Sequence, residues 1–515
     1  MKKAYRFRLR LGVIWLILAA AMVLSYLLIS LSATPAGFPL DDAWIHQVFA
    51  RTLAQNGEFA FNPGQPVAGS TSPLWTFLLA PGHWLPGFHM AWAYTLGLVF
   101  LALTANESFR LAWYLSRHRR VALAAGLFTL FEWRLVWAGA SGMETILFTF
   151  GCLFLARYYL RHFPLVPPAV TDEAGTDGKP LAHDYSKFAF ILGLIGGLLT
   201  LVRPEGMFLL GLAALDTGWR NRREIGRLLK IWGGIGLGWL LPVVPYAAFN
   251  YALSGSLLPN TFGAKVSGYS DLSPGGLLNF LGSALYQLFL AGPLIFLLPG
   301  LLLCWPFIKA KKLDWRGLVW PPVLLLLYSL RLPVTYQHGR YLMPLIPFLV
   351  VYGVVGSKHL LEVVKVMRLP RLAYFGPWIL ALVYILWWYL GAISYQFDVK
   401  LINDEQVRVA QWLAGNTPAG ATVATHDIGA IGYFSARKVV DTAGLVSPEF
   451  VPIVRDQPAI LAKLQALKVD YFAMLPTWYP DLHRQLESQQ AQVFQPQETY
   501  LAQFGEKNMV VFKLK

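Results

Sequence analysis

Along the first 400 residues, long apolar stretches alternate with short basic ones. The first stretch, Leu11–Ser32, carries no charge and is long enough to cross a bilayer. Lys2, Lys3, Arg6, Arg8 and Arg10 precede it. A cleaved signal has a shorter apolar core and a small-residue cleavage site, so this segment reads as an anchor with the N-terminus in the cytoplasm. Further basic clusters follow at Arg117–Arg120, at Arg157 and Arg161, at Arg220–Lys230, at Lys309–Arg316 and at Lys358–Arg371. Segments 33–72, 138–142, 254–276 and 333–339 are poor in Lys and Arg. Alternating the two sets across a bilayer predicts about eleven transmembrane helices. They fall near 11–32, 88–115, 121–137, 144–161, 187–202, 205–218, 231–253, 277–306, 318–332, 340–356 and 372–394. An odd number puts the C-terminus outside. Pro73–Trp84 is too short to cross and reads as interfacial or re-entrant, and Pro164–Ser186 reads as a mobile cytoplasmic loop.

After Tyr395 the pattern changes. Ala421–Thr425, Lys438–Asp441, Val469–Leu475 and Met509–Leu514 have the character of strands, and Asp404–Ala414 and Ile460–Leu467 that of helices. The expected architecture is an all-α polytopic membrane domain over 1–399, with an external loop at 33–72, followed by an extracytoplasmic α/β domain over 400–515. The run Asp427-Ile-Gly-Ala-Ile-Gly lacks the G-x-G spacing of a dinucleotide fingerprint.

Composition narrows the class further. Of 515 residues 56% are hydrophobic and 14% charged, against roughly 45–50% and about 25% in soluble domains. These values exclude an ordinary soluble enzyme, a disordered chain and a collagen. Cys152 and Cys304 both lie in apolar runs, which leaves no disulfide framework and no thiolate metal cluster. Residues 1–400 hold 33 Lys and Arg against 17 Asp and Glu, whereas 401–515 hold 10 against 11. Basic residues placed among spans orient them, so nucleic acid is not an expected partner.

Acids beside spans need a reason, because a charge at the bilayer centre costs roughly 2.5–3.5 kcal/mol. The first external segment contains Pro39-Leu40-Asp41-Asp42-Ala43-Trp44, followed by an apolar stripe of Trp44, Ile45, Val48, Phe49 and Leu53. That stripe predicts a helix lying flat at the interface. Capping accounts for one aspartate at its start. A second, adjacent carboxylate raises the pKa of one of the pair and suits a general base, so cap and catalyst stand as alternatives. Ser141-Gly-Met-Glu144 has capping-box spacing, which favours a structural Glu144. Arg203-Pro204-Glu205-Gly206 predicts a tight turn with Arg and Glu neutralising each other or holding a ligand. Glu107 and Glu132 read as partners of nearby arginines. Lys265 and Arg340 stand on the external side, away from the cytoplasmic clusters. Snorkelling to headgroups accounts for an isolated lysine. External carboxylates converging with external cations suit transfer of a group from a lipid phosphate.

Asp41-Asp42-Ala43-Trp44, Phe61-Asn62-Pro63-Gly64 and Gly69-Ser-Thr-Ser-Pro-Leu-Trp75 resemble the first external loop of the GT-C membrane glycosyltransferases. The resemblance is strongest to the terminal arabinofuranosyltransferases of mycobacterial cell-wall arabinan. It continues in order through Ser141-Gly-Met-Glu144-Thr145, Arg203-Pro-Glu-Gly206, Pro259-Asn-Thr-Phe262 with Lys265, and Gly339-Arg-Tyr-Leu342. It ends with Asp427-Ile-Gly-Ala-Ile-Gly432 and Asp441-Thr-Ala-Gly-Leu445. Two departures bear on the sugar: Gly263-Ala264 stands where the family has an aromatic residue, and Gly69-Ser70-Thr71-Ser72 replaces the commoner Gly-Tyr-Thr-Asn.

The resemblance implies a GT-C-like fold in the plasma (inner) membrane and an inverting transfer from a polyprenyl-phosphate sugar, arabinofuranose included, to a glycan or lipid acceptor. Asp41 matches the essential aspartate and would deprotonate the acceptor, with Asp42 its catalytic neighbour. Arg340 and Lys265 would hold the departing phosphate, with Arg203 and His338 as second choices. Glu144, Glu205, Trp44 and Tyr341 would orient sugar or acceptor. No cofactor is expected, because cationic side chains on the phosphate can replace a metal; a divalent cation on Asp41 and Asp42 is the alternative. The rival class is a transporter or flippase of a lipid-linked saccharide, which would place its ionisable groups near the bilayer midplane.

Overall fold

A computed structural model describes residues 2–165, 185–257, 274–310, 313–366, 370–497 and 507–515. The chain opens with α1 (Lys2–Leu31), α2 (Asp41–Asn56), a small hairpin of β1 (Ala60–Asn62) and β2 (Gln65–Pro66), and α3 (Pro73–Leu79). Then follow α4 (His89–Ser116), α5 (Arg119–Leu130), α6 (Trp133–Ala140), α7 (Thr145–His162), α8 (Tyr185–Val202), α9 (Gly206–Asn221) and α10 (Ile225–Ser254). Helices Pro274–Leu285, Leu298–Lys309, Trp320–Arg331, Ile346–Val366 and Pro370–Ile402 complete the bundle.

Among the described residues, five helices are long and apolar enough to cross a membrane, or seven if each of two bent pairs is one span. Leu28, Leu278 and Leu382 are 67%, 70% and 66% exposed, an outward apolar surface that hydrocarbon covers and water would penalise. The chain is an integral membrane protein. The expected eleven spans are not reached by this measure among the described residues. Polar groups interrupt two of the expected spans: Asn106 and Glu107 in α4, and Arg157 and Arg161 in α7. The expected span 121–137 is instead α5 and α6, bent by 54°. Glu132 causes the break, because its carboxylate accepts from the backbone N–H of Arg134 at 2.8 Å and so starts a new helix. Both buried glutamates have the arginine partners expected: Glu107 pairs with Arg110 and Arg157, and Glu132 with Arg134.

Small residues let helices approach closely. A Cβ added to Gly193 of α8 would sit 2.1 Å from the Ile235 carbonyl oxygen of α10, and one on Gly238 2.1 Å from that of Phe190. The α8–α10 crossing therefore depends on glycine. Pro370–Ile402 crosses α1 and α6, where Tyr26 donates to the Trp388 carbonyl at 3.1 Å and Tyr395 to that of Ala140 at 3.0 Å.

That helix runs on through a π turn at Asn403–Val407 and helix Arg408–Asn416 into a five-stranded sheet. Its order is β4 (Lys438–Asp441), β3 (Thr422–Thr425), β5 (Tyr471–Met474), β7 (Val510–Lys513) and β6 (Gln492–Phe494). β3 pairs in parallel with β4 and β5, and β7 runs antiparallel to β5 and β6. All four residues of central strand β5 are buried, since both faces of the sheet are covered. One face packs on helices Gln457–Ala466 and Pro480–Ser488. The other packs on Val48 and Phe49 of α2 and Phe61 of β1. Asn62 extends this junction: its amide donates to the Val439 carbonyl at 2.9 Å and accepts from the Val439 N–H at 3.0 Å, as a strand neighbour would. The amphipathic helix expected at the membrane surface is therefore roofed by the C-terminal sheet, and its apolar stripe faces protein.

Candidate functional site

The first two residues of α2 are Asp41 and Asp42, and the N-cap position before them is Leu40, in extended backbone. Neither aspartate caps its own helix, although both sit where the helix dipole favours negative charge. Successive helical residues point about 100° apart, so the two carboxylates face different surroundings. Asp41 turns toward the C-terminal domain. Its Oδ2 accepts from the Gly429 N–H and its Oδ1 from the Ala430 N–H, both at 2.7 Å, at the start of helix Ile428–Phe434. The run Asp427-Ile-Gly-Ala-Ile-Gly is thus a docking element. A Cβ on Gly429 would lie 2.0 Å from the Asp41 carbonyl oxygen, which explains the glycine. Burial and the nearby Asp427 push the Asp41 carboxyl well up from the usual carboxylate range, against the lowering effect of the Ala430 and Gly429 N–H groups.

Asp42 faces a cavity of about 300 Å³ between α2, the α6–α7 junction, the α8–α9 turn, Leu327–Leu332 and Arg340–Tyr341. Its Oδ2 accepts from Arg340 Nη2 at 2.5 Å. The same nitrogen lies 3.1 Å from the Tyr341 hydroxyl. Arg340 is 3% exposed, and its Nε and Nη1 are buried with no hydrogen-bond partner among the described residues. The backbone before it is unusual: Gln337, His338 and Gly339 have φ of 56°, 58° and 67°. His338 is held there by Asp398 at 2.7 Å and by near-perpendicular ring contacts with Trp133 and Trp137.

Glu144 and Arg203 complete the polar wall. Glu144 lies 3.3 Å from His46 Nε2 and 3.8 Å from Arg203, and it makes no cap hydrogen bond, so the capping box expected at Ser141–Glu144 does not form. Helix α7 starts instead without it, while Ser141 accepts from the Met143 N–H at 3.2 Å. At the α8–α9 turn Arg203 reaches Glu205 at 3.7 Å, and its guanidinium lies 4.6 Å from the centre of the Tyr341 ring. Three carboxylates and two guanidiniums therefore line one small space, at the low end of the size range for small-molecule pockets.

Of the residues singled out from the sequence, Asp42, Glu144, Arg203, Glu205, Arg340 and Tyr341 line the cavity. Asp41 is behind its wall. His338 does not line it and is engaged with Asp398. Trp44 is 1% exposed among Phe38, Tyr433 and Phe434, with ring centres 4.6–5.0 Å away, because the α2 stripe is roofed; it cannot touch a ligand in the cavity. Lys265 lies outside the described residues. Ser70, Thr71 and Ser72 line the cavity, as does His46, which the sequence reading passed over. Its signal was helical spacing: Ile45 and His46 follow Asp42 by three and four positions on one face. Among the described residues no group of three or more His, Cys, Asp or Glu side chains is gathered to hold a metal.

Comparisons with known proteins bear on this arrangement. A family described as "Domain of unknown function (DUF8728)" matches residues 388–512. No curated protein sequence matched the chain. Among solved structures, ArnT from Cupriavidus metallidurans bound to undecaprenyl phosphate is similar at 14% identity and a TM-score of 0.63, over 96% of this chain and 97% of that one. The oligosaccharyltransferase of Archaeoglobus fulgidus is similar at 13% identity and a TM-score of 0.61, over 91% of this chain and 69% of that one. The Archaeoglobus enzyme AglB in complex with an inhibitory peptide and a dolichol-phosphate gives 12% identity and a TM-score of 0.57. These likenesses show a shared overall fold that runs from the first helix into the C-terminal sheet.

Proposed function

We propose that the protein is a GT-C glycosyltransferase that moves one sugar from a polyprenyl phosphate to a hydroxyl of a glycan or lipid acceptor at the external membrane face. The observation that carries this reading is Arg340. A buried guanidinium with two unpartnered nitrogens is costly unless an anion completes it, and the phosphate of a lipid-linked sugar fits that demand. The neighbours' bound lipids, undecaprenyl phosphate and dolichol-phosphate, are of the same chemistry.

Asp42 is the base in this mechanism, and Asp41 holds α2 in place. Asp42 has the cavity-facing carboxylate, whereas both Asp41 oxygens are committed to backbone N–H groups. A phosphate contacting Nε and Nη1 of Arg340 shares the guanidinium with Asp42 and loosens its hold on the carboxylate. The Asp42 carboxylate takes the acceptor proton as the acceptor oxygen attacks the anomeric carbon. The bond from that carbon to the phosphate oxygen breaks, and its electron pair leaves on polyprenyl phosphate. Arg340 and Arg203 stabilise that charge as it develops. Attack from the face opposite the phosphate inverts the anomeric centre. Glu144 and Glu205 accept hydrogen bonds from sugar hydroxyls. A transporter reading fits less well, because the cavity is built from helix ends and short turns beside the C-terminal sheet.

Purified protein offered a panel of polyprenyl-phosphate sugars, polyprenyl-phosphate arabinofuranose included, should release free polyprenyl phosphate with at least one of them. No release from any donor, together with uptake of a lipid-linked saccharide across proteoliposomes, would point to transport instead.

A further inference from the structure

A second cavity, of about 820 Å³, opens among α1, α4, α5 and α7, and its wall carries Arg110, Arg117, Arg119, Arg157 and Arg161. It lies at the other end of α7 from Glu144, about 25 Å away at 1.5 Å per residue. No acidic residue lines it among the described residues. Glu107, just behind the wall, pairs with Arg110 at 3.1 Å and with Arg157. Arg117 lies over the Tyr114 ring, and Trp113, 40% exposed, stands beside it.

Arg117, Arg119, Arg157 and Arg161 belong to clusters that the positive-inside pattern assigns to the cytoplasmic side, and Arg110 lies about two turns before Arg117 on α4. Orienting a span needs basic residues near its ends, but it does not need five of them around one concavity. A cleft lined by a single sign of charge focuses the potential and concentrates counter-ions. Guanidiniums match phosphate oxygens in a bidentate fashion, and basic pockets between spans at the cytoplasmic face suit anionic headgroups. We propose that this cavity binds the phosphate headgroup of an acidic phospholipid, with its glycerol end against Trp113 and Tyr114. The site is separate from the Asp42 cavity, and the inference does not depend on the transferase reading.

The test uses the full-length protein in phosphatidylcholine nanodiscs, with or without a minor fraction of phosphatidylglycerol, read by native mass spectrometry and thermal midpoint. The wild type should retain phosphatidylglycerol and gain stability from it. The double variant Arg119→Gln with Arg161→Gln, both exposed positions, should lose about tenfold in retention. Arg222→Gln with Arg223→Gln, basic positions outside the cavity, should keep both effects. Equal losses in the two double variants would mean bulk charge rather than this cavity and would overturn the proposal. Inorganic phosphate added to phosphatidylcholine nanodiscs should produce no shift. A shift equal to that from phosphatidylglycerol would overturn the headgroup assignment in favour of a soluble phosphate. If the arginine double variant fails to fold in neutral lipid, Arg161→Gln alone carries the same comparison, with about a threefold loss expected.

Discussion

Two neighbouring aspartates with different surroundings give two separable phenotypes. Asp42→Asn keeps the shape of the side chain and removes its basicity, so turnover should fall roughly 10²–10⁴-fold, the usual contribution of general acid–base catalysis. Donor affinity should change little. Asp41→Asn replaces an acceptor oxygen with an amide N–H aimed at a backbone N–H, and leaves a buried donor unsatisfied at about 1–3 kcal/mol. Its main effect should be a lower thermal midpoint, with turnover in the folded fraction reduced far less than in Asp42→Asn. Single-turnover rates and thermal melts of both variants distinguish the roles; the opposite ranking would make Asp41 the base. Arg340→Ala should weaken donor binding about ten- to hundredfold, the value of charged hydrogen bonds worth roughly 1.5–3 kcal/mol. Unchanged binding of a labelled polyprenyl phosphate would remove Arg340 from the phosphate site. The sequence alone marked this pair of acids as exceptional. It did not say which faced the cavity, because that depends on helix Ile428–Phe434, nearly 400 residues away in the chain.

At the scale of elements, the strands of the C-terminal sheet were legible in outline: β3, β4, β5 and β7 all lie within the segments expected from apolar, β-branched runs. β6 was not, because Gln492–Phe494 is an exposed edge without a buried face to pattern. Helix Ile428–Phe434 was hidden by its glycines, which are poor helix formers and are there for close approach. Span limits failed where one carboxylate changed the backbone, as Glu132 does between α5 and α6. The loop after β4 makes a testable pH element. Asp441 is fully buried and accepts from the Ala443 and Val446 N–H groups, each at 2.8 Å. Burial pushes its carboxyl up to about 7, against the lowering effect of these N–H groups. An unfolded aspartate titrates near 3.9. Folding therefore favours the protonated form: this stabilisation is complete below about pH 4 and is lost as pH rises to about 7. The wild-type thermal midpoint should decline over that window relative to Asp441→Asn, which stays neutral throughout. Parallel profiles would rule out the titration of Asp441 as the cause.

For the whole molecule, sidedness is the first question. The alternation of basic clusters predicts that the C-terminal sheet lies outside the cell. Cys152 and Cys304 are buried, so a cysteine at exposed Ser488 offers a clean probe. It should react with an impermeant maleimide in intact cells, and labelling only after permeabilisation would invert the topology and the face on which the Asp42 cavity opens. The boundary expected near residue 400 is less useful as a guide to what can be moved. Val48, Phe49 and Phe61 lie in the core of the C-terminal sheet, and Asp41 receives its two N–H groups from Gly429 and Ala430. A chimera that exchanged only 400–515 between relatives would strand a buried carboxyl and strip apolar side chains of their cover. The natural unit of exchange is discontinuous, with the 33–72 loop travelling alongside the tail. Any substrate preference carried by one of these segments would then be inherited with the other.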